Sequence, residues 1–216
     1  MIQYILIDLD GTITDSQEGI AKGIQYALKK MGINIEDLNS LRRHIGPPLR
    51  DSFMEYFDFD EEKLEEVVRC YREYYEEIGI FENEVYAGMK DLFEKLTSAG
   101  KKLIVATSKP ELFAKRIMEH FDLAKYFTDI CGSTMDGSRE KKGDVIRYTL
   151  EKNHITQLDQ VVMVGDRFYD ITGAKENGLA SVGVLYGFGD RKELEEAGAG
   201  QIAETVKDLE EILMNM

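Results

Sequence analysis

Tyr4-Ile5-Leu6-Ile7-Asp8-Leu9-Asp10-Gly11-Thr12 sets a short apolar run directly against two acids and a glycine. Ile5, Leu6 and Ile7 read as a buried strand, and Gly11 interrupts it where the carboxylates emerge. In a parallel α/β sheet, ligands bind beyond the carboxyl ends of the strands, so both acids are expected to face a site. A period of two points Asp8 and Asp10 to the same side. Two carboxylates held that close repel, and they need a cation, a shared proton or different tasks.

Beyond this stretch the pattern turns helical. Ile20, Ile24, Ala27, Leu28 and Met31 share one helical face, and Gly32 supplies a stop. A shorter helix from about Asp37 to His44 is expected to end at Gly46-Pro47-Pro48, where helix cannot continue. Leu64, Val67, Val68, Tyr71 and Tyr75 mark another amphipathic helix, which stops at Gly79. Nothing between Thr14 and Phe81 reads as a buried strand. After Asn83 the two periods alternate. A helix carrying Met89, Leu92, Phe93 and Leu96 precedes a strand over 103–106, and a helix with Pro110 in its first turn follows. A strand over 128–131, a helix over 144–152, a strand over 161–164, a helix over 169–177 and a strand over 180–185 complete the series. Such alternation predicts an α/β fold, a doubly wound parallel sheet with helices on both faces, and the first strand belongs to it. Residues 1–13 and 84–216 are therefore expected to form the core. Residues 14–83 are expected to form an inserted helical domain, placed to serve as a lid.

The 216 residues, 43% hydrophobic and 31% charged, suit one globular domain with a sizeable insert. A formal charge of −14 argues against non-specific binding to nucleic acid polymers or to an anionic membrane. It also repels a phosphate-bearing substrate at long range, although salt screens this over roughly 8–10 Å. Local cations must do the attracting. Cys70 and Cys131 stand far apart without metal-ligand spacing, so reduced thiols in a cytosol are expected. The N-terminus lacks a basic region and a cleavage site, and no apolar run approaches a membrane span, which makes a cytoplasmic protein the expectation.

Four strand ends carry polar groups. The first supplies Asp8 and Asp10, with Gly11 and Thr12 behind them. The second, after 103–106, is Thr107-Ser108-Lys109. The third is Lys141 or Lys142, at the entry to the helix over 144–152. The fourth is Gly165-Asp166-Arg167-Phe168-Tyr169-Asp170, after the strand over 161–164. Each alone has a plain explanation: Thr107 and Ser108 can cap a helix, the lysines can form a solvated face, and Gly-Asp is a common turn. All four at successive strand ends point to one site.

In these residues the chain resembles the haloacid dehalogenase superfamily of aspartate-nucleophile phosphohydrolases. Asp8-Leu9-Asp10-Gly11-Thr12 resembles its first motif, and Thr107 behind Ile104-Val105-Ala106 its second. Lys142 or its neighbour Lys141 resembles the third, and Gly165-Asp166 through Asp170 the fourth. Lys142-Gly143 departs from the Lys-Pro of many relatives, so both lysines remain candidates. The helical insert lies where the family's first cap type lies. Gly46-Pro47-Pro48-Leu49, Tyr186-Gly187-Phe188-Gly189 and the final acidic helix are similar to the phosphoglycolate phosphatase and 5′-nucleotidase branch.

The resemblance implies a Rossmann-like core with a helical cap, and Mg²⁺-dependent hydrolysis of a small phosphomonoester, of the phosphoglycolate or nucleoside monophosphate class. Such an ester is an anion that resists attack by another anion, so catalysis depends on neutralising its oxygens and aligning the nucleophile. Asp8 would attack phosphorus and form an aspartyl-phosphate. Asp10 would protonate the leaving oxygen and then take a proton from water. Asp166 would bind Mg²⁺ with Asp8 and the backbone carbonyl of Asp10, while Asp170 would bind through water or position Asp166. Thr107 would donate to a phosphoryl oxygen, and Lys142 would offset charge on the nucleophile and the phosphoryl group. Ser108 would add an amide at a helix start, with Gly11 and Thr12 as further substrate-binding positions.

Weaker signals surround these. Arg42-Arg43-His44 and Arg50 form a basic cluster in an acidic insert. Arg50 is a candidate contact for the substrate's leaving group, against the alternative of ordinary surface pairing. Lys109 either orients the loop behind Thr107 or is solvated. Two other readings share much of the pattern. A sugar phosphomutase resembling β-phosphoglucomutase keeps both aspartates. A phospho-acceptor signalling module also combines acids, a Thr or Ser and a Lys at strand ends, but its acid pair is adjacent in sequence and it needs no helical insert.

Overall fold

β1 (Tyr4–Ile7) holds an inner place in a six-stranded sheet because its side chains are apolar towards both faces. Behind it the chain leaves through β2 (Thr14–Asp15) into α1 (Gln17–Lys30), α2 (Leu49–Tyr56) and α3 (Glu61–Tyr75). It returns through β3 (Glu84–Val85), which pairs with β2. From there helix and strand alternate: α4 (Met89–Ser98), β4 (Lys102–Pro110), α5 (Glu111–His120), β5 (Phe127–Ser133), α6 (Lys142–Lys152) and β6 (Val161–Gly165). α7 (Phe168–Glu176), β7 (Ala180–Val184), α8 (Arg191–Ala197), β8 (Gln201–Ala203) and α9 (Val206–Asn215) complete the chain. This computed structural model describes residues 1–45, 49–57 and 59–216, without the side chains of 42–44. The described residues form two units, Met1–Thr14 with Val85–Met216, and Asp15–Glu84.

In the larger unit the strand order is β5-β4-β1-β6-β7-β8, with parallel pairing at every step. Leu6 lies beside Ile104 on one side and Met163 on the other. These three join Ala106, Cys131, Val145, Ile146 and Ala174 in a core between one sheet face and the helices α6 and α7. Ile5, Ile7, Leu103, Val105, Val162 and Val164 alternate to the other face and are buried there too. Burial on both faces explains why the strands read as unbroken apolar runs. The chain runs outward from β1 through β4 to β5, then restarts on the opposite side at β6. Such a reversal opens a crevice beyond the strand ends, next to β1.

In the smaller unit, α1 buries Ile20, Ile24, Ala27 and Leu28, and α3 buries Leu64, Val67, Val68, Tyr71 and Tyr75. The Asp60 side chain accepts from the Lys63 amide at 2.9 Å and caps α3. The expected helix over 37–44 is a 3₁₀ helix, Leu38–His44. The expected stop at Gly46-Pro47-Pro48 and the side chains of Arg42, Arg43 and His44 lie outside the described residues.

Several boundaries differ from the sequence reading for local reasons. Pro110 is the N-cap of α5 and stands outside its first turn, since its extended backbone (φ −51°, ψ 129°) ends β4. α2, α8 and β8 are not picked out by the sequence reading, since each is short and buries only one or two side chains. Among the described residues no helix is long and apolar enough to cross a membrane.

Leu6 has no exposed surface and touches neighbours in both adjacent strands, so Leu6→Ala leaves a cavity in the middle of the sheet. The expected cost is about 2–5 kcal/mol, read as a lowered midpoint in urea unfolding followed by circular dichroism.

Candidate active site

The β1 ladder extends one bond past the strand, from the Asp8 amide to the Val164 carbonyl at 2.9 Å. That bond delivers Asp8 to the crevice edge, and the carboxylate is largely buried there. The chain then winds tightly: the amides of Thr12, Ile13 and Thr14 all donate to the Leu9 carbonyl, at 3.3, 2.9 and 3.0 Å. Gly11 sits at φ +80°, and a Cβ there would lie 2.2 Å from Asp166 Oδ2. Only glycine satisfies both the left-handed backbone and this close approach. The Gly11 amide is taken by the Thr14 carbonyl at 2.7 Å. The buried Thr12 hydroxyl donates to Asp166 Oδ1 at 3.2 Å. Both residues thus hold the first and fourth strand ends together.

At the second strand end, Thr107 is buried and its Oγ1 accepts from the Lys109 amide at 3.2 Å. Its hydroxyl proton remains available for a ligand. The expectation that Ser108 lies at a helix start is corrected: α5 begins only at Glu111. Proline disfavours helical backbone at the residue before it, which keeps Lys109 extended and delays the helix. Lys109 turns inward, and its Nζ reaches Asp10 Oδ2 at 2.8 Å. Asp10 Oδ1 is buried and has no hydrogen-bond partner.

At the third, α6 opens on Lys142 with Lys141 as its N-cap. Lys142 is the one of the two brought into this cluster. Its Nζ lies 2.7 Å from Asp8 Oδ1, 2.8 Å from Asp170 Oδ1 and 3.1 Å from the Ala106 carbonyl. At the fourth, Asp166 is fully buried, and its Oδ2 accepts from the Phe188 amide at 2.8 Å. Asp170 Oδ2 accepts from the Arg167 amide at 3.1 Å, which caps α7 and aims the carboxylate back at Lys142. Asp8, Asp166 and Asp170 each place one carboxylate oxygen so that all three lie within 4.8 Å of one another. The Asp10 side chain is not in that trio. Arg50 lies on α2 in the smaller unit and is ion-paired there with Glu61 and Glu65.

The electrostatics follow from burial. The Asp8 carboxyl is pushed up to about 6, first by burial and then by Asp170 and Asp10, with Lys142 opposing. Asp166 is pushed well above the usual carboxylate range by burial, and the charges of Asp170 and Asp8 add to this. Burial alone would lower Lys142, but Asp170 and Asp8 outweigh it and hold the ammonium above its ordinary range. One ammonium therefore serves two of the three crowded carboxylates, Asp8 and Asp170, and leaves Asp166 to neutral donors. The donors are all hard oxygens, the set that suits Mg²⁺, with no His or Cys in the group.

Two contacts escaped the sequence reading. The Lys109 ion pair depends on strand register, which no local pattern displays. The Phe188 amide comes from Tyr186-Gly187-Phe188-Gly189, legible only as a loop beside the cleft.

The chain matches the family described as haloacid dehalogenase-like hydrolase over residues 5–184. It is 45% identical to a protein of Pseudomonas aeruginosa named 5′-nucleotidase, over 88% of this chain and 86% of that protein. It is 34% identical to the tyrosine-protein kinase PtkA of Mycobacterium tuberculosis, over 98% of this chain and 72% of that protein. A crystal structure of a predicted phosphatase from Clostridium acetobutylicum superposes with a TM-score of 0.96 at 49% identity, covering 100% of both chains.

Lys142→Met removes the ammonium from a buried cluster and is expected to cost about 3–5 kcal/mol at pH 8 in chelator. The Asp8 carboxyl already binds its proton more tightly folded than unfolded, with Lys142 opposing, so the variant's folded Asp8 titrates higher still and the variant regains stability as pH falls from 8 to 5. Thermal unfolding at pH 8 and pH 5 measures both effects.

Proposed function

The chain belongs to the haloacid dehalogenase-like hydrolase family, and from that premise we propose that it is a Mg²⁺-dependent phosphatase of small phosphomonoesters. Its substrates are of the nucleoside monophosphate or phosphoglycolate class, and the phosphoryl group passes through Asp8. One observation carries this reading: carboxylate oxygens of Asp8, Asp166 and Asp170 converge within 4.8 Å, with Lys142 on Asp8. The name of the Pseudomonas aeruginosa relative supports the nucleotide class.

Lys142 holds Asp8 Oδ1 and leaves the other oxygen to attack phosphorus in line. The ammonium stays charged, so it offsets the nucleophile and the phosphoryl oxygens without giving up its proton. Thr107 donates its hydroxyl to a phosphoryl oxygen, and the Ser108 amide adds a second donor. As the P–O ester bond breaks, the leaving oxygen takes a proton from Asp10. A water then attacks the aspartyl-phosphate, Asp10 takes its proton, and phosphate departs as the Asp8 carboxylate re-forms. Mg²⁺, held by Asp8, Asp166 and the Asp10 backbone carbonyl with Asp170 beside them, supplies charge neutralisation for the phosphoryl oxygens.

The relative named a tyrosine-protein kinase favours a second reading, in which a protein hydroxyl replaces water as the acceptor. Phosphate release separates the two. Steady release of inorganic phosphate from several monoesters, with no label transferred to added tyrosine peptides, supports the hydrolase.

Asp8→Asn is expected to lower phosphate release by more than about 1,000-fold, because the nucleophile is lost while the pocket stays. A malachite-green assay of native and variant chains checks this. Turnover is expected to vanish in EDTA and return with added Mg²⁺, since Asp166 is buried beside Asp8 and Asp170 and is held only by neutral donors. Full activity in chelator would overturn the metal assignment.

A further inference from the structure

We propose that Lys109 is a positioning residue for Asp10, delivered by a two-residue bulge in β4, a role that rests on the phosphatase reading above. β4 and β5 pair through Thr107 opposite Gly132, and the next pair is Pro110 opposite Ser133. Ser108 and Lys109 are therefore two extra residues between consecutive register pairs of the β4–β5 ladder. Bulges of this kind re-aim side chains at the rim of a sheet. This one is built into its neighbour: a Cβ on Gly132 would lie 2.5 Å from the Lys109 carbonyl oxygen. Glycine at that position lets the bulged backbone press inward, and Pro110 keeps Lys109 extended.

The bulge gives one residue two hold-points on the reaction machinery. The Lys109 amide donates to Thr107 Oγ1 at 3.2 Å, which directs the Thr107 proton elsewhere, to the phosphoryl oxygen. The Lys109 ammonium lies 2.8 Å from Asp10 Oδ2, with the two side chains only 6% and 15% exposed. Solvent screens so covered a pair little, unlike a surface bridge. With Oδ2 held, the carboxylate cannot rotate freely, and Oδ1, buried and unpartnered, becomes the oxygen that carries the proton. That proton goes to the ester oxygen as the P–O bond breaks. Lys142 cannot substitute, since it is engaged by Asp8 and Asp170. The two lysines thus divide the site, Lys142 serving the nucleophile and Lys109 the acid–base group.

The test compares native chain, Lys109→Met, Lys109→Arg, Asp10→Asn and the Lys109→Met/Asp10→Asn double variant. Each is assayed with Mg²⁺ on p-nitrophenyl phosphate, a good leaving group, and on an alkyl phosphate, a poor one. Melting curves confirm that each variant is folded. Asp10→Asn is expected to lose about 100-fold in kcat on the alkyl ester and far less on the aryl ester. Lys109→Met is expected to lose about tenfold more on the alkyl than on the aryl ester, with KM unchanged within about threefold. Lys109→Arg should recover most of that loss, and the double variant should be no slower than Asp10→Asn. Equal losses on both esters, additive losses in the double variant, or a change confined to KM would overturn the positioning role. If Asp10→Asn itself shows no leaving-group dependence, the acid–base assignment fails and takes the role of Lys109 with it. If Asp10 shows that dependence and Lys109 does not, only the positioning role falls.

Discussion

A single buried ammonium between two carboxylates, Lys142 between Asp8 and Asp170, is the interaction on which the arrangement of the site depends. Burying charge is costly, and a carboxylate left unpaired in such a place would be neutralised or expelled. Each of the three groups is brought in by backbone that has no other choice. Asp8 follows the last ladder bond of β1, Lys142 opens α6, and Asp170 is the carboxylate that caps α7. The ion pairs therefore do little for net stability but fix which oxygen of each acid faces inward. That is a constraint on geometry more than a source of free energy.

Asp166 shows the same logic without a cation. Its two oxygens are held by the Thr12 hydroxyl and the Phe188 amide, neutral donors that orient a charge without cancelling it. Gly11 lets the first turn come within reach of it. Repulsion from Asp170 consequently remains for both Asp166 and Asp8, and it adds to burial, the larger cause, in raising the affinity of each for protons. A site that keeps acids close, orients them and leaves them under-compensated is pre-organised for a positive charge from outside the chain.

The parts legible in sequence are those set by local pattern. β1 and β6 are runs of consecutive buried apolar side chains, so the strands and the acids just beyond them could be placed by reading along the chain. The parallel direction of the strands could be anticipated because helices separate them. The parts not legible depend on register between distant segments. The bulge at Ser108 and Lys109 exists only relative to Gly132, and nothing in Thr107-Ser108-Lys109-Pro110 says how β5 will pair. The choice of Lys142 over Lys141 likewise turns on where α6 starts, which capping by an extended Lys141 decides. β8, three residues with one buried side chain, carries too little pattern to be seen.

Charge within the site bears on what it can hold. Asp8, Asp10, Asp166 and Asp170 face Lys109 and Lys142, which leaves two negative charges uncompensated when all six groups are ionised. The chain as a whole carries −14, so its long-range field adds to this repulsion instead of relieving it. A phosphate dianion approaching such a cluster meets charge of its own sign at every distance. Both lysines are already paired with carboxylates, so whatever charge they offer a phosphoryl group is shared with those acids. A divalent cation matches the deficit in magnitude and sign, and the hard oxygen donors match it in chemistry. On the proposed function, phosphate affinity in this crevice would be a property of the acids together with a cation, because the acids alone would exclude the ligand.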